Sequence, residues 1–214
     1  MAKSRQIALF VEGDSERGDA RRQTLSRFFH RWLDPQLLPT SRVGITAVKF
    51  QGVSNYFDDV GQKVEMFLEN KRANFVFGLV DLYGIPANRI NLAEFPSVAA
   101  KVLAAREYIQ TLIPHRHRGL FHQHFAVHEV EAWLLSDLTV WPQDARAHIT
   151  KRDPEKVNFN EPPAKFLKRI LGRYKKKTTA MNLFPKIDPN VAYARCPHLK
   201  ALLDDLLRVA KLLE

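Results

Sequence analysis

Short apolar runs that end on charged residues, each followed by a stretch with helical spacing, constrain this chain most. Residues 6–11 (Gln-Ile-Ala-Leu-Phe-Val) run into Glu12-Gly13, and residues 74–80 (Asn-Phe-Val-Phe-Gly-Leu-Val) run into Asp81. Continuous apolar runs of this length read as strands buried on both faces, the kind a parallel sheet needs. Residues 43–50 alternate like a strand, and residues 120–127 form a further one that leads into His128-Glu129-Val130-Glu131. Between them lie helical patterns. Leu25, Phe28, Phe29, Trp32 and Leu33 share a face within 15–33, which Asp34-Pro35 stops. Phe57, Val60, Val64, Phe67 and Leu68 do the same within 56–71, and 97–112 is a third helix. His128 to Leu135 is expected to begin a fourth. Such alternation predicts an α/β fold, a mostly parallel sheet with helices on both faces.

After Trp141-Pro142 the pattern changes. Residues 143–163 are polar and punctuated by proline, 164–172 are helical, 173–190 are basic and loop-like, and 197–213 form an amphipathic helix. The expected organisation is therefore an α/β core over 1–140 and a basic, mainly helical C-terminal extension over 141–214 that packs on it. The formal charge of +10 follows this division. Residues 1–137 hold 17 basic and 15 acidic side chains, whereas 138–214 hold 16 and 8, so the excess lies in the last third. Lys165, Lys168, Arg169, Arg173, Lys175, Lys176 and Lys177 place seven cations in thirteen residues without an acid. Lys165, Lys168 and Arg169 fall at i, i+3, i+4, and Phe166 and Tyr174 interleave as stacking surfaces. A polyanion, with nucleic acid the commonest, is the expected partner; a solvated charged face is the plainer alternative.

Several chemistries are excluded. One cysteine, Cys196, allows no internal disulfide and no multi-cysteine zinc site. His115, His117, His122 and His124 come without a cysteine or an HExxH pattern, so zinc is not expected. No GxxxxGK or GxSxG motif occurs. No apolar run approaches the roughly 20 residues of a membrane span. The N-terminal Met-Ala-Lys-Ser-Arg-Gln lacks a signal-peptide apolar region, so a cytoplasmic location is expected.

In open α/β sheets, function gathers at the C-terminal ends of strands. Here those ends carry Glu12, Asp81 and the His128/Glu129/Glu131 group. Singly, Glu12 reads as a turn acid, Asp81 as an Asx-turn residue, Glu131 as a helix-dipole partner and His128 as a structural histidine. Together, carboxylates converging on one edge repel unless a cation joins them, and oxygen ligands suit Mg²⁺ or Mn²⁺. An ion held this way in a basic protein is what phosphodiester hydrolysis uses.

Val11-Glu12-Gly13 with Ser15-Glu16, Val80-Asp81-Leu82-Tyr83-Gly84, His128-Glu129-Val130-Glu131-Ala132-Trp133, and the stretch from Val157-Asn158-Phe159-Asn160 to Lys168-Arg169 resemble the Toprim-like proteins of the OLD and RloB type. More narrowly, they resemble a bacterial group of unknown function often encoded beside an AAA- or ABC-type ATPase. The resemblance covers residues 6–172. It implies a Toprim-like fold, a metal-dependent nuclease of defence or repair, and an ATPase partner. It implies a catalytic glutamate after the first strand, which is Glu12, and an Asp-x-Asp metal motif of which Asp81 is present while Tyr83 stands in the second position. Glu131, Glu129 or Asp137 would supply the missing ligand, with Glu131 preferred because His128 and Glu131 are spaced one helical turn apart; Glu16 is secondary. A lysine near the scissile phosphate is also implied, and Lys165 or Lys168 takes that place.

Overall fold

The computed structural model describes residues 5–12, 24–156, 159–172, 179 and 182–214. Its centre is a four-stranded, all-parallel sheet of β1 (Gln6–Glu12), β2 (Gly44–Phe50), β3 (Phe75–Asp81) and β4 (Phe121–Ala126), in spatial order β2-β1-β3-β4. The α/β architecture expected from the sequence is therefore present, with strand limits moved by at most one residue at each end. Helix α1 (Thr24–Leu33) links β1 to β2, α2 (Val53–Glu69) leads towards β3, and α3 (Val98–Leu112) towards β4. Because β1 connects outward to β2 while later connections run the other way, right-handed crossovers must place α1 on one face and α2 with α3 on the other.

The two cores show this division. Ile7, Leu9 and Val11 of β1 face a cluster with Leu25, Phe28 and Trp32 of α1, whereas Ala8 and Phe10 face one with Tyr56, Val60 and Val64 of α2 and Ala105 and Ile109 of α3. Burial on both sides is why β1 and β3 read as unbroken apolar runs.

The C-terminal part adds α4 (Glu131–Leu134), α5 (Gln143–Ile149), α6 (Pro163–Leu171), α7 (Pro189–Arg195) and α8 (Pro197–Leu212). Trp141, Phe166, Leu199, Leu203 and Leu206 join the same cluster as α1 and the sheet, so this region completes one face of the core. Arg31 of α1 donates Nη2 to the carbonyls of Phe184 and Ile187, both at 2.8 Å. Glu155 accepts from Trp133 Nε1 (3.1 Å) and from the first amides of α8, His198 N (2.7 Å) and Leu199 N (3.2 Å). At the open edge of β4, α3 supplies Arg106 and Gln110 to the carbonyls of Gln123 and Phe121, which blunts the edge against pairing with another chain.

Helices α5 and α7 lie where the sequence reads as polar or irregular, although α7 has a clear start: Asp188 accepts from Asn190 N at 2.8 Å and Pro189 occupies the first turn.

Glycine is required at the centre of β3. A Cβ on Gly78 would fall 2.0 Å from the Tyr56 hydroxyl and 2.3 Å from Gln123 Oε1, inside the buried hydrogen bond that Tyr56 donates to Gln123. Gly78→Ala is expected to break that bond and destabilise the fold by about 2–3 kcal/mol, read as a lower urea midpoint at unchanged slope. An unaltered midpoint would show that α2 can move aside freely.

Candidate functional site: an acidic rim at the strand ends

Strands β1 and β3 are neighbours in space but connect in opposite directions. The crevice beyond their C-terminal ends is the topological switch point, where ligands of open α/β sheets bind. Glu12 is the last residue of β1 and Asp81 the last of β3, in a register that pairs Val11 with Leu79. The chain then turns tightly through Leu82–Gly84. A Cβ on Gly84 would lie 3.5 Å from Asp81 Cβ and 3.6 Å from Glu12 Oε2, so the fold brings both residues close to this turn. Glu12 Oε2 is sealed from solvent. The fold thus brings together two acids that stand 69 positions apart in the sequence.

Glu131 begins α4, just past β4 on the same edge, and is 0% exposed. The expectation that His128 and Glu131 share a helix face is corrected: α4 starts only at Glu131, and His128 lies before it with φ 85°, a left-handed backbone that a side-chain-bearing residue adopts at a cost. Two alternatives to Glu131 have other work. Glu129 accepts from Ala164 N at 2.9 Å, which fastens the start of α6 beside the acidic rim. Asp137 accepts from Thr139 N, Thr139 Oγ1 and Asp188 N; burial opposes its ionisation, and these hydrogen bonds outweigh it and hold the carboxyl below its ordinary value. Tyr83, in the position where the resemblance implies a second acid, is a phenol that is neutral at pH 7 at its ordinary value near 10, and burial raises it further.

Lys165 and Lys168 are exposed on α6, and Lys165 Nζ donates to Asn160 O at 3.0 Å. Arg169 is exposed but paired: its Nε donates to Glu161 Oε1 at 2.5 Å, and Arg152 holds the same carboxylate. Phe166 is not a stacking surface. It is 1% exposed, with the Arg152 guanidinium 3.8 Å above its ring. Glu16, Arg173, Tyr174, Lys175, Lys176 and Lys177 lie outside the described residues.

The aromatic group beside the rim escaped sequence reasoning. Tyr83, His128 and Phe159 meet with ring centroids 4.6–6.2 Å apart. The signal was an aromatic residue set between asparagines in a polar stretch, Asn158-Phe159-Asn160.

Two histidine groups lie elsewhere. Glu65, Glu69 and His117 offer ligand atoms within 4.8 Å of one another and could hold a metal ion. The Arg116 guanidinium already sits against both carboxylates and donates to His117 Nε2 at 3.1 Å. The other group links β4 to α8. His122 Nδ1 and His124 Nε2 both lie 2.9 Å from Asp205 Oδ2, and both rings stack on Phe77. A carboxylate only accepts, so each imidazole donates to it.

Burial opposes ionisation of Asp205, but hydrogen bonds from His122, His124 and Arg208 outweigh it and hold the carboxyl far below its ordinary range. Burial also holds the His124 imidazole below its ordinary value, against the pull of Asp205. An unfolded chain takes up the histidine proton near pH 6.5 while the folded one resists, so stability held above about pH 6.5 is lost as pH falls. Asp205 adds a further loss below about pH 4. Thermal melts should therefore show Tm falling between about pH 7.5 and 5.5, and His124→Asn, which cannot take up a proton there, should fall less. An equal fall in both proteins would remove His124 from this account.

Fold and rim define a doubly wound α/β protein with paired acids at its switch point. The chain belongs to the family described as Domain of unknown function (DUF4276), whose model matches residues 11–207. No curated protein and no solved structure matches it. Among the described residues no helix is long and apolar enough to cross a membrane.

Proposed function

We propose that this protein is a Mg²⁺- or Mn²⁺-dependent nuclease that hydrolyses phosphodiester bonds of DNA or RNA. The observation that carries this reading is the placement of Glu12 and Asp81 on adjacent strands, both close to Gly84 at the switch point. Their donor set is all oxygen, which fits a hard divalent cation and disfavours softer metals. Glu12 and Asp81 would hold the ion, with Glu131 from α4 and Glu16 from the segment after β1 as further ligands. When bound, the ion neutralises charge on phosphoryl oxygens and makes water acidic enough to attack at neutral pH.

The remaining work falls to this chain's own groups. Glu12 is placed either to ligate or to accept a proton from the attacking water. Lys165 and Lys168 extend from α6, which Glu129 anchors beside the rim, and they would offset the charge of the scissile phosphate. The resemblance of the four sequence blocks supplies the setting, a bacterial defence or repair system with an AAA- or ABC-type ATPase as partner.

Tyr83 favours a second reading, a non-catalytic subunit that binds nucleic acid or docks to the ATPase, because a neutral phenol stands where a second acid is expected. One pair of measurements decides. Calorimetry with Mn²⁺ should show millimolar or tighter binding, and single- or double-stranded DNA or RNA should be cut in Mn²⁺ or Mg²⁺ but not in EDTA. Salt-sensitive nucleic-acid binding without metal binding or cleavage would establish the second reading.

A further inference from the structure

Phe159 is 64% exposed, yet its ring is seated, 4.6 Å from Tyr83 in a T-shaped contact and 5.7 Å from His128. The seat belongs to the acidic rim. Tyr83 follows Asp81 by two residues, and His128 follows Ala126, which pairs with Asp81 across β3 and β4. Cations border it: Lys101 Nζ stands 5.6 Å over the Tyr83 ring, and Lys165 bonds to the carbonyl of Asn160, next to Phe159. A single exposed aromatic ring needs no explanation. A ring held by two others, flanked by ammonium groups and seated on Tyr83, two residues past the strand end at Asp81, is a different object. Its free face offers stacking to any nucleobase, and the ammonium groups draw the adjoining phosphates.

We propose that Phe159, held by Tyr83 and His128, stacks an unpaired base of a single-stranded nucleic acid and so sets the next phosphodiester at the Glu12–Asp81 rim. This rests on the nucleic-acid reading above and narrows it to single-stranded substrate, since bases within a duplex already stack on one another and offer no free face. It also gives Tyr83 a use, as a wall of the seat. His128, whose backbone is left-handed, supplies the third ring, 5.7 Å from Phe159.

The test uses the full chain in EDTA, where no cleavage occurs, with short single strands of DNA and RNA carrying 2-aminopurine and with the matching duplexes. Single strands should bind at least about tenfold more tightly than duplex and should quench the probe base. Phe159→Leu, which keeps an apolar side chain but removes the ring, should weaken single-strand binding about tenfold. It should also relieve the quenching and leave duplex affinity and Tm unchanged, and Phe159→Trp should restore both signals. Unchanged single-strand affinity in Phe159→Leu, or a preference for duplex, would overturn the proposal even if Mn²⁺-dependent cleavage is intact. Phe159-dependent stacking by a protein that never cleaves would uphold it and sink the nuclease reading instead.

Discussion

Replacing Glu12 with glutamine is expected to reduce Mn²⁺-supported cleavage by about a thousandfold or more while the fold stands. The exchange keeps shape and volume and removes only the charge, so it separates ligand chemistry from packing. In the folded chain, Glu12 Oε2 lies 3.6 Å from the point where Gly84 would carry a Cβ, and Asp81 Cβ lies 3.5 Å from that same point. Because the exchange is isosteric, Glu12→Gln should still unfold in one cooperative transition in EDTA. On the proposed reading, Mn²⁺ should raise the wild-type Tm by mass action, as any ligand of the folded state alone does, and the variant should lose that increment. Asp81→Asn should behave alike. A Glu12→Gln protein that cleaves as wild type, or that keeps the full Mn²⁺ increment in Tm, would remove the rim from the mechanism.

Why Glu12 and Asp81 were legible, and their partners less so, has a physical cause. Each closes an apolar run, and although either acid alone reads as a turn residue, the same placement recurs at successive strand ends. Their adjacency came from the β2-β1-β3-β4 order, in which β1 and β3 touch although β2 separates them in the chain. Helical spacing misplaced His128 with Glu131, because a left-handed residue interrupts what counting residues assumes to be continuous. Charge patterning suggested that Phe166 was a stacking surface, but an aromatic residue between cations on an amphipathic helix turns its ring to the core, and Phe166 does so beneath Arg152. Phe159, in a polar stretch with no periodicity, gave no such cue until the fold placed Tyr83 and His128 under it.

The largest loss of stability is expected at Glu155, which has nothing to do with the rim. Its carboxyl is 6% exposed and collects three donors, Trp133 Nε1 and the amides of His198 and Leu199. It thereby joins α4, which follows the C-terminal edge of the sheet, to the N-terminus of α8, whose own first residue is proline and whose preceding Cys196 provides no side-chain cap. Glu155→Ala leaves an indole N–H and two helix amides without their acceptor, at a cost of about 3 kcal/mol or more. Glu155→Gln keeps one acceptor oxygen for Trp133 and Leu199 but turns an amide N–H₂ towards the His198 amide, so it should cost about half as much. The pH dependence identifies the cause. Burial raises the Glu155 carboxyl above its reference value of 4.5, against the lowering effect of its hydrogen bonds. A carboxyl with a raised folded pKa contributes stability that is present below its unfolded value and lost as pH rises through the folded one. The gap in unfolding free energy between wild type and Glu155→Gln should therefore narrow as pH rises from about 4.5 towards neutrality. Urea titrations at several pH values give both quantities. If Glu155→Ala unfolds at the wild-type midpoint, water or the chain itself satisfies those donors, and the coupling between α4 and α8 must come from the apolar contacts of Trp133 and Leu199 alone.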